Sequence, residues 1–518
     1  MPVVNTADLD INELSADHSH WVYNGLDCCV TQEIFETLYP MTDSICHHTY
    51  EFSKALQAPV LEMNLRGLLV NQNRKSRVMA DMRRKLGQLE EQFHEIVTEG
   101  VGAQRTMWSS PAQLKTLLYD VMRLPVQKKR NANGIFAPST DREALEKLSV
   151  YFIAEPICNH ILAMRDLQKS LGFLSTPQDS DGRLRTNFNI AGTDTGRFAS
   201  SYTDFGTGTN LQNVTSSLRS VFVADPGMKF ANLDLEQADS RNVGALCWNA
   251  LLAEGWSERD AGAYLDLCES GDLHTAVLRR ANPSLPWEQD GLTDRQVADQ
   301  IAYRHLSHRD LAKKLGHGSN YLGEPPTMAR HSKLPIPIVK AFHESYFGAF
   351  PCIPAWHKSV RESLIQTNQL TTPFDRRRFF FDRPTEKSTL RAAVAYQPQS
   401  MTADEINDGI LRLWRSNRVQ LLIQVHDSIL FQYPEEQEDE ILPWALETLK
   451  TYLTLSHGRE FHVPTEAMTG WNWGYYADED DVKKGKTSET NFDGLKKWKG
   501  SDNRTRQETD FKLSLMGR

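Results

Sequence analysis

The chain has 518 residues, of which 40% are hydrophobic and 24% charged, and this composition predicts a globular protein of two to four domains. No apolar run approaches the roughly 18 residues of a membrane-spanning helix, and the N-terminus lacks the basic start and apolar core of a signal peptide. The seven cysteines include no C-x-x-C pair, so neither a disulfide framework nor a cysteine-zinc site is indicated. The composition excludes an integral membrane protein and predicts a cytoplasmic one.

The net charge of −9 is unevenly distributed along the chain. Residues 1–50 contain eight acidic and no basic residues, so the rest of the chain is nearly neutral. Three basic clusters stand in that neutral part, at residues 127–130, 376–381 and 483–518. Each can be an ordinary solvated charge run. The arginine-aromatic cluster at 376–381 favours nucleic acid most, because guanidinium groups hold phosphates and aromatic rings stack on bases.

The first half of the chain has a helical pattern. Residues 51–93 predict helices, and capping signals at residues 109–111 and 138–141 predict two further helix starts, because hydroxyl or carboxylate groups can accept there from free backbone N–H donors. Residues 182–227 are rich in Gly, Thr, Asn and Ser, which predicts loops and strand ends. From there to about residue 401, helices dominate.

Short apolar strands interrupt this helical background. One covers residues 230–234, and another covers residues 419–425, with a return strand at 428–431 after a two-residue interruption. Each delivers an aspartate at its end, Asp234 and Asp427. Alone, either aspartate is more often a turn residue bonded to its own backbone than a ligand.

A helical segment between the two strands strengthens the interpretation of these aspartates as ligands. Four residues recur in it at four-residue steps: Arg309, Lys313, His317 and Tyr321. Such steps drift only about 40° each around a helix, so all four side chains share one face over roughly 18 Å. Two cations followed by two planar rings suit a triphosphate followed by a sugar and a base. The alternative is an exposed basic face that ends in a capping turn.

Four motifs follow one another in order: Thr-Asp-Thr-Gly-Arg at 193–197 with Asn-Leu-Gln-Asn at 210–213, Leu-Asp-Leu-Glu-Gln at 233–237, the helix at 309–323, and Gln-Val-His-Asp at 424–427. Their order and intervals resemble the signatures of family A DNA polymerases, over about residues 58–473. The resemblance implies a template-directed DNA polymerase, of a phage-like kind that lacks most of the 3′–5′ exonuclease domain.

The family has a mainly helical α+β fold, a right hand of palm, fingers and thumb with an antiparallel palm sheet. Residues 272–274, Asp-Leu-His, also resemble an element of the fingers, although such an isolated motif more often serves packing and capping. Carried onto this chain, the resemblance implies six segments: a remnant of an exonuclease-like domain or a docking segment at 1–57, the thumb at 58–170, the palm at 171–250 and 396–476, the fingers at 251–395, and a charged, flexible tail at 477–518.

The resemblance also implies the chemistry of the site. Asp234, Asp427 and the backbone carbonyl of Leu235 would hold two Mg²⁺ ions, which Mn²⁺ can replace, while a primer 3′ end is extended with dNTPs and pyrophosphate is released in DNA replication. Carboxylate oxygens suit Mg²⁺, which prefers oxygen ligands. By position, the residues that bind the dNTP are Arg309, Lys313, His317, Tyr321, Asp239 and Gln237. Those that contact primer-template DNA are Arg197, Gln399, His426, Asn213, Gln212 and Arg391.

Three positions depart from the family pattern. His317 stands where Phe or Tyr usually faces the incoming sugar, and Asp239 stands where a Glu, one methylene longer, usually blocks a ribose 2′-OH. Ser428 replaces the usual Glu after Asp427, as in single-subunit RNA polymerases, so an RNA polymerase-like enzyme is the alternative; the acid at Asp239 and the 210–213 run weigh against it. A non-catalytic DNA-binding subunit is a third class, against which the two metal aspartates weigh.

The acidic N-terminus contains one more motif that resembles the family. Tyr23 and Asp27 resemble the Tyr-x3-Asp motif of the proofreading exonuclease, but no Asp-x-Glu pair precedes them. We therefore expect a vestigial site, no 3′–5′ exonuclease in this chain alone, and a separate exonuclease polypeptide as a partner beside DNA and dNTPs. The alternative is an amphipathic helix that begins near Gly25. A phage-encoded protein of this kind would work in the host cytoplasm.

Overall fold

The computed structural model of the chain describes residues 15–131, 134–203, 206–288, 291–304 and 306–500. No helix within these ranges is both long and apolar enough to cross a membrane. The α-helices are α1 (Ala16–Leu38), α2 (Ser44–Ala55), α3 (Gln57–Arg66), α4 (Gln72–Glu95), α5 (Pro111–Lys115), α6 (Arg142–Leu148), α7 (Glu155–Leu174), α8 (Ala238–Ala253), α9 (Glu258–Ala261), α10 (Ala263–Glu269), α11 (Leu273–Ala281), α12 (Asp294–Ala298), α13 (His308–Asn320), α14 (Pro325–Ser332), α15 (Ile336–Ala349), α16 (Cys352–Thr367), α17 (Lys387–Ser416), α18 (Glu438–Leu449) and α19 (Glu479–Lys483).

The strands are short except in the central sheet. They are β1 (Leu68–Val70), β2 (Lys128–Arg130), β3 (Phe136–Pro138), β4 (Arg183–Leu184), β5 (Asn187–Asn189), β6 (Ala199–Ser201), β7 (Phe222–Val223), β8 (Met228–Leu235), β9 (Ile301–Tyr303), β10 (Leu306–Ser307), β11 (Gln369–Thr371), β12 (Arg377–Phe379), β13 (Gln420–Val425), β14 (Ser428–Pro434), β15 (Leu453–Thr454), β16 (Glu460–Phe461), β17 (Thr465–Gly470) and β18 (Lys496–Lys497). Short 3₁₀ or π-helical turns occur at Tyr39–Met41, Ile96–Gly100, Thr116–Val121, Leu211–Asn213, Ser216–Val221, Glu435–Gln437 and Ser456–Gly458.

The N-terminal helices begin at capping residues. α1 follows Ser15, whose hydroxyl accepts from the backbone N–H of His18, and it contributes no buried side chain. The helix considered for the residues after Gly25 is thus part of α1, which begins earlier. α2 follows Asp43, whose carboxylate also binds Arg377 on β12. This ion pair links α2 to β12.

The predicted thumb has an apolar core of its own. α4 and α7 pack against each other, and α5 and α6 complete a separate cluster of buried side chains that includes Phe93, Leu118 and Ile161. Both predicted helix starts in this segment are confirmed. Ser110 caps α5 and Asp141 caps α6, each accepting from the backbone N–H three residues on, as expected for N-cap side chains.

The central sheet has five antiparallel strands in the order β13-β14-β8-β17-β18. The strands predicted from apolar runs are confirmed as β8, β13 and β14, and the last two form the predicted hairpin. In the register of the sheet, Ser428 lies opposite Asp234 on one side, and Glu466 lies opposite it on the other. Strand pairing therefore brings the ends of β8 and of the hairpin to one edge.

The helix that carries the four-residue repeat is α13. Ser307 caps it and accepts from the backbone N–H of Asp310, whose carboxylate accepts in return from the backbone N–H of Ser307. One face of α13 buries Leu311 and Leu315, while Lys313 is exposed. The capping box and the buried face together fix which side of the helix is available to a ligand.

The tail predicted to be flexible from residue 477 folds back onto the sheet as far as residue 500. β18 pairs with β17, with Lys496 opposite Thr469. Asp493 binds Arg74 at the start of α4, which ties this segment to the base of the predicted thumb. Residues 477–500 thus contain a strand of the sheet and a partner of α4, features that no local sequence pattern indicates. Residues 501–518 lie outside the described residues.

The arginine-aromatic cluster at 376–381 is engaged within the protein. Its ion pairs are Arg376–Asp404, Arg377–Asp43 and Arg378–Asp194. Arg378 also lies over the ring of Phe380, with 4.7 Å to the centroid. The cluster therefore links distant acidic segments. Its positive charge is compensated within the protein, which removes the reason to predict that it binds nucleic acid.

Candidate active site

Two aspartates lie at the same edge of the central sheet. Asp234 is the last but one residue of β8, and Asp427 lies in the tight turn between β13 and β14, where His426 has a φ of 57°. The backbone N–H of Leu235 donates to the carbonyl oxygen of Asp427 at 3.1 Å. The strand end and the hairpin turn are thus bonded directly to each other, which fixes the backbone of both acids.

The two carboxyl groups carry negative charge that their surroundings do not fully neutralise. Partial loss of water in the cleft and the charges of Asp427 and Glu236 raise the pKa of Asp234 to about 7, and Arg219 only partly offsets this effect. Desolvation also raises the pKa of Asp427. Closely placed acids disfavour each other's ionised form, and a bound cation would relieve the repulsion between them.

Both aspartates open into a cleft of about 1160 Å³ between the sheet and α13. A cleft of this size can enclose a large polar ligand. Eight of the residues predicted for metal or nucleotide binding line it: Asp234, Leu235, Gln237, Asp239, Lys313, His317, Tyr321 and Asp427. The structure therefore brings together residues from three motifs that lie far apart in the sequence.

The two rings of the four-residue repeat contact each other at the end of α13. His317 and Tyr321 meet edge to face, with ring centroids 4.8 Å apart. Tyr321 is the residue that ends the helix. Its hydroxyl is buried without a hydrogen-bond partner among the described residues, and burial together with the charge of Asp239 raises its pKa. This hydroxyl is a polar atom that a ligand in the cleft could satisfy.

Asp239 is held from two sides at the start of α8. Thr402 donates to its carboxylate at 3.2 Å, and Arg197 forms an ion pair with it at 3.5 Å. Arg197, predicted to contact DNA, thus lies beside a residue predicted to contact the nucleotide. Gln237 is the N-cap residue that precedes α8, with a φ of 55°, and its side-chain oxygen is buried with no partner in the described part of the chain.

Arg309 is not among the cleft-lining residues, although it belongs to the same repeat. Its guanidinium binds the carboxylate of Asp272 through Nε and Nη2, at 2.8–3.2 Å. His274 does line the cleft, and its pKa is lowered to about 4 by burial and then by the charges of Arg309 and Lys313. The Asp-Leu-His element at 272–274 therefore contacts the site as well as serving packing.

The other residues predicted to contact primer-template DNA do not line this cleft. Gln212 donates to the backbone and side-chain oxygens of Gln424 on β13, at 3.3 and 2.9 Å, and so ties a 3₁₀ turn to the hairpin. The others are exposed or half-buried: Asn213, His426, Gln399 and Arg391. Their role as DNA contacts stays a prediction.

Tyr23 and Asp27, the predicted vestigial exonuclease residues, are exposed on α1. Within the described ranges, no three His, Cys, Asp or Glu side chains stand close enough together to hold a metal ion. Asp27 thus has no cluster of acids around it there. Asp234 and Asp427 form a pair rather than a larger cluster.

Sequence reasoning missed several groups of the cleft. Glu236 follows Asp234 by two residues, and this proximity was a usable signal. Glu466 is brought beside Asp234 by strand pairing and binds Lys497 of β18. Lys314 lines the cleft next to Lys313. Only the three-dimensional arrangement of β17 and α13 reveals these last two groups.

Comparison with known proteins gives a consistent result. The family model described as DNA polymerase family A matches residues 72–475. The thermostable DNA polymerase I of Thermus thermophilus is 25% identical over 440 residues, which cover 81% of this chain and 47% of that protein. The thermostable DNA polymerase I of Thermus aquaticus is 26% identical over 381 residues, covering 70% and 41%. This chain spans about half the length of the curated relatives it matches.

A solved structure shows the same fold. The POL domain of Pol1 from M. smegmatis, in complex with DNA primer-template and dNTP, aligns with a TM-score of 0.62 at 24% identity, over 81% of this chain and 69% of that one. The mainly helical fold with an antiparallel palm sheet is therefore confirmed. Because the family model extends over most of the sequence, the chain belongs to DNA polymerase family A.

Proposed function

We propose that the chain is a template-directed DNA polymerase that extends a primer 3′ end with dNTPs and releases pyrophosphate in DNA replication. The main support for this proposal is that Asp234 and Asp427 face the cation-bearing helix α13 across one cleft. Acids opposite a basic face suit a polyanionic substrate that binds together with divalent cations. Family membership supports the proposal, as does the neighbouring structure, which holds DNA primer-template and dNTP.

The donor set at the sheet edge fits a hard divalent cation. Asp234 and Asp427 offer carboxylate oxygens and Leu235 a backbone carbonyl, all lining the cleft. A pair of acids is sufficient for Mg²⁺, because this ion usually keeps several waters and substrate phosphates among its ligands. Bound there, two Mg²⁺ ions, or Mn²⁺ in their place, would neutralise the attacking and leaving oxygens.

The side chains of α13 would bind and orient the phosphates and the base. Lys313 is exposed on the cleft side of α13 and can pair with a phosphate. His274, on the neighbouring helix α11, is neutral at physiological pH because burial and the neighbouring cations lower its pKa to about 4. It can therefore donate one hydrogen bond to a phosphate without adding charge. The rings of His317 and Tyr321 offer flat surfaces for the sugar and the nascent base pair.

The sugar would be selected at the start of α8. Asp239 is fixed by Thr402 and Arg197. A carboxylate held in one place would leave little space for a ribose 2′-OH. The hydroxyl of Ser428, in contrast, is buried and donates to the carbonyl of Val425 at 2.9 Å. Ser428 thus serves the turn, and its presence gives no support to RNA synthesis.

We also propose a division of the chain into working parts. The thumb comprises residues 58–170 and the fingers residues 251–395. The palm comprises residues 171–250 and 396–476, and we add residues 477–500 to it because β18 extends its sheet.

Primer extension tests the proposal. A labelled primer on a defined template is incubated with dNTPs or rNTPs and with Mg²⁺ or Mn²⁺. We expect template-matched addition of dNTPs that Asp427→Asn abolishes without weakening primer-template binding, measured by fluorescence anisotropy. Asp120→Asn, a change in an exposed thumb acid, is the matched control and should extend normally. Equal use of rNTPs, synthesis from a promoter without a primer, or normal extension by Asp427→Asn would contradict the proposal.

A further inference from the structure

The ion pair between Asp272 and Arg309 has a two-point geometry. The Nε of Arg309 lies 3.2 and 3.1 Å from the two carboxylate oxygens, and Nη2 lies 2.8 Å from Oδ1. Such side-on pairing fixes the plane of the guanidinium group as well as its position. Nη1 of Arg309 donates to no described residue, so the pair leaves donors available on one edge of the group.

The carboxylate of Asp272 is itself held in place by two further donors. Thr275 donates to Oδ2 at 2.7 Å, and Arg295 donates to the same oxygen at 3.0 Å. Burial acts to raise the pKa of Asp272, but the hydrogen bonds from Arg309 and Thr275 outweigh it and hold the pKa well below its usual range. Asp272 is therefore ionised at every pH at which the protein works, and it connects α11, α12 and α13.

The pair lies at the edge of the cleft, although Arg309 does not line it. His274, two residues after Asp272, does line it, and the charge of Arg309 contributes to its lowered pKa. The side chain of Arg309 is 21% exposed. Without Asp272, this long side chain could adopt other rotamers at the edge of the cleft, and each would place its charge differently.

We propose that Asp272 is a positioning residue: it holds Arg309 in the orientation from which its unbonded edge meets the triphosphate of the incoming nucleotide. The inference rests on the proposed function and deepens it. Its opposite would be a latch, in which Asp272 competes with the phosphates for Arg309 and weakens nucleotide binding.

Single-nucleotide incorporation at saturating primer-template separates these two roles. If Asp272 positions Arg309, Asp272→Asn raises the KM for dNTP about tenfold and changes kcat by less than about threefold, because ground-state and transition-state binding are lost together. Asp294→Asn is the matched control: it removes an acid on the same group of helices whose ion pair is with Arg279 and not with Arg309. It should leave KM within about twofold of the wild type.

A double-mutant cycle tests whether Asp272 acts through Arg309. In an Arg309→Lys background, which cannot form the side-on pair, Asp272→Asn should raise KM by less than about twofold. Asp272→Glu keeps the charge and should stay within about threefold of the wild type, which guards against a folding defect in the Asn variant. Melting temperatures are measured for all variants.

The possible outcomes distinguish the inference from the proposed function. If the wild type adds no dNTP, the proposed function fails. If the wild type adds dNTP but Asp272→Asn leaves KM unchanged or lowers it, the positioning role is overturned while the function stands. Equal losses in the Asn and Glu variants, or a full tenfold effect in the Arg309→Lys background, would also overturn it.

Discussion

Replacing Asp234 by Asn should stabilise the metal-free protein at alkaline pH while it abolishes primer extension. In the folded chain, desolvation and the charges of Asp427 and Glu236 raise the pKa of Asp234 from 3.8 to about 7. The folded state therefore keeps a proton that the unfolded state has already released between about pH 4 and pH 7. Over that window the free energy of unfolding falls as pH rises, and it stays lowered above pH 7. Asn carries no charge and escapes this loss.

The magnitude follows from the position of Asp234. A pKa difference of this size corresponds to about 4 kcal/mol for a fully enclosed carboxyl group. Asp234 is more than a third exposed to the cleft, where solvent screens the repulsion. We therefore expect Asp234→Asn to increase the free energy of unfolding by about 1–2 kcal/mol at pH 8 in the absence of metal.

Urea unfolding from pH 5 to pH 9 in EDTA measures this difference. The two proteins should have similar stabilities near pH 5 and diverge as the pH approaches 8. Mg²⁺ should then stabilise the wild type at pH 8 by mass action and leave the variant almost unchanged. Asp120→Asn should behave as the wild type does in both series. A variant that is less stable than the wild type at pH 8 without metal would refute the reasoning.

Three further predictions concern the site and the N-terminus. Ser428→Ala should reduce the rate of primer extension by less than about fivefold, since its hydroxyl bonds to the turn; a loss as large as that of Asp427→Asn would contradict the assignment. Asp239→Ala should increase the ratio of rNTP to dNTP kcat/KM by at least about tenfold, and an unchanged ratio would exclude Asp239 as the sugar-selecting group. Asp27→Ala should leave the release of 3′-terminal nucleotides from single-stranded DNA at the level of the unmodified chain, because Asp27 is exposed and belongs to no group of three potential metal ligands among the described residues; a loss of measurable release would reveal a working exonuclease site.

The features that the sequence predicted correctly are local ones. The apolar run of β8 and the hairpin of β13 and β14 are encoded by neighbouring residues, and the caps at Ser110 and Asp141 need only a side chain and a backbone N–H three residues away. The repeat on α13 is likewise local, since helical geometry alone places Lys313 and His317 on one face. The order of the motifs, through the family resemblance, then predicted that these local elements share one site.

The features that the sequence could not predict depend on partners far along the chain. The pair of Asp272 and Arg309 joins residues 37 positions apart, and the arginines at 376–378 pair with acids in three separate segments. The charge of such residues is visible in the sequence, but whether it is already neutralised is not. For the same reason the sequence predicts a charged, flexible tail from residue 477, although β18 within it pairs with the sheet.

The ion pair of Arg74 and Asp493 has a consequence for how the protein is made. The two residues are 419 positions apart, so the predicted thumb, which has its own core, emerges from the ribosome and can fold long before Asp493 is synthesised. The ion pair therefore forms only after the C-terminal segment is made, whereas β1 and β7 pair within the first half of the chain. A nascent chain interrupted after residue 475, where the family match ends, would retain both aspartates of the cleft but lack the carboxylate that pairs with Arg74 at the base of the predicted thumb.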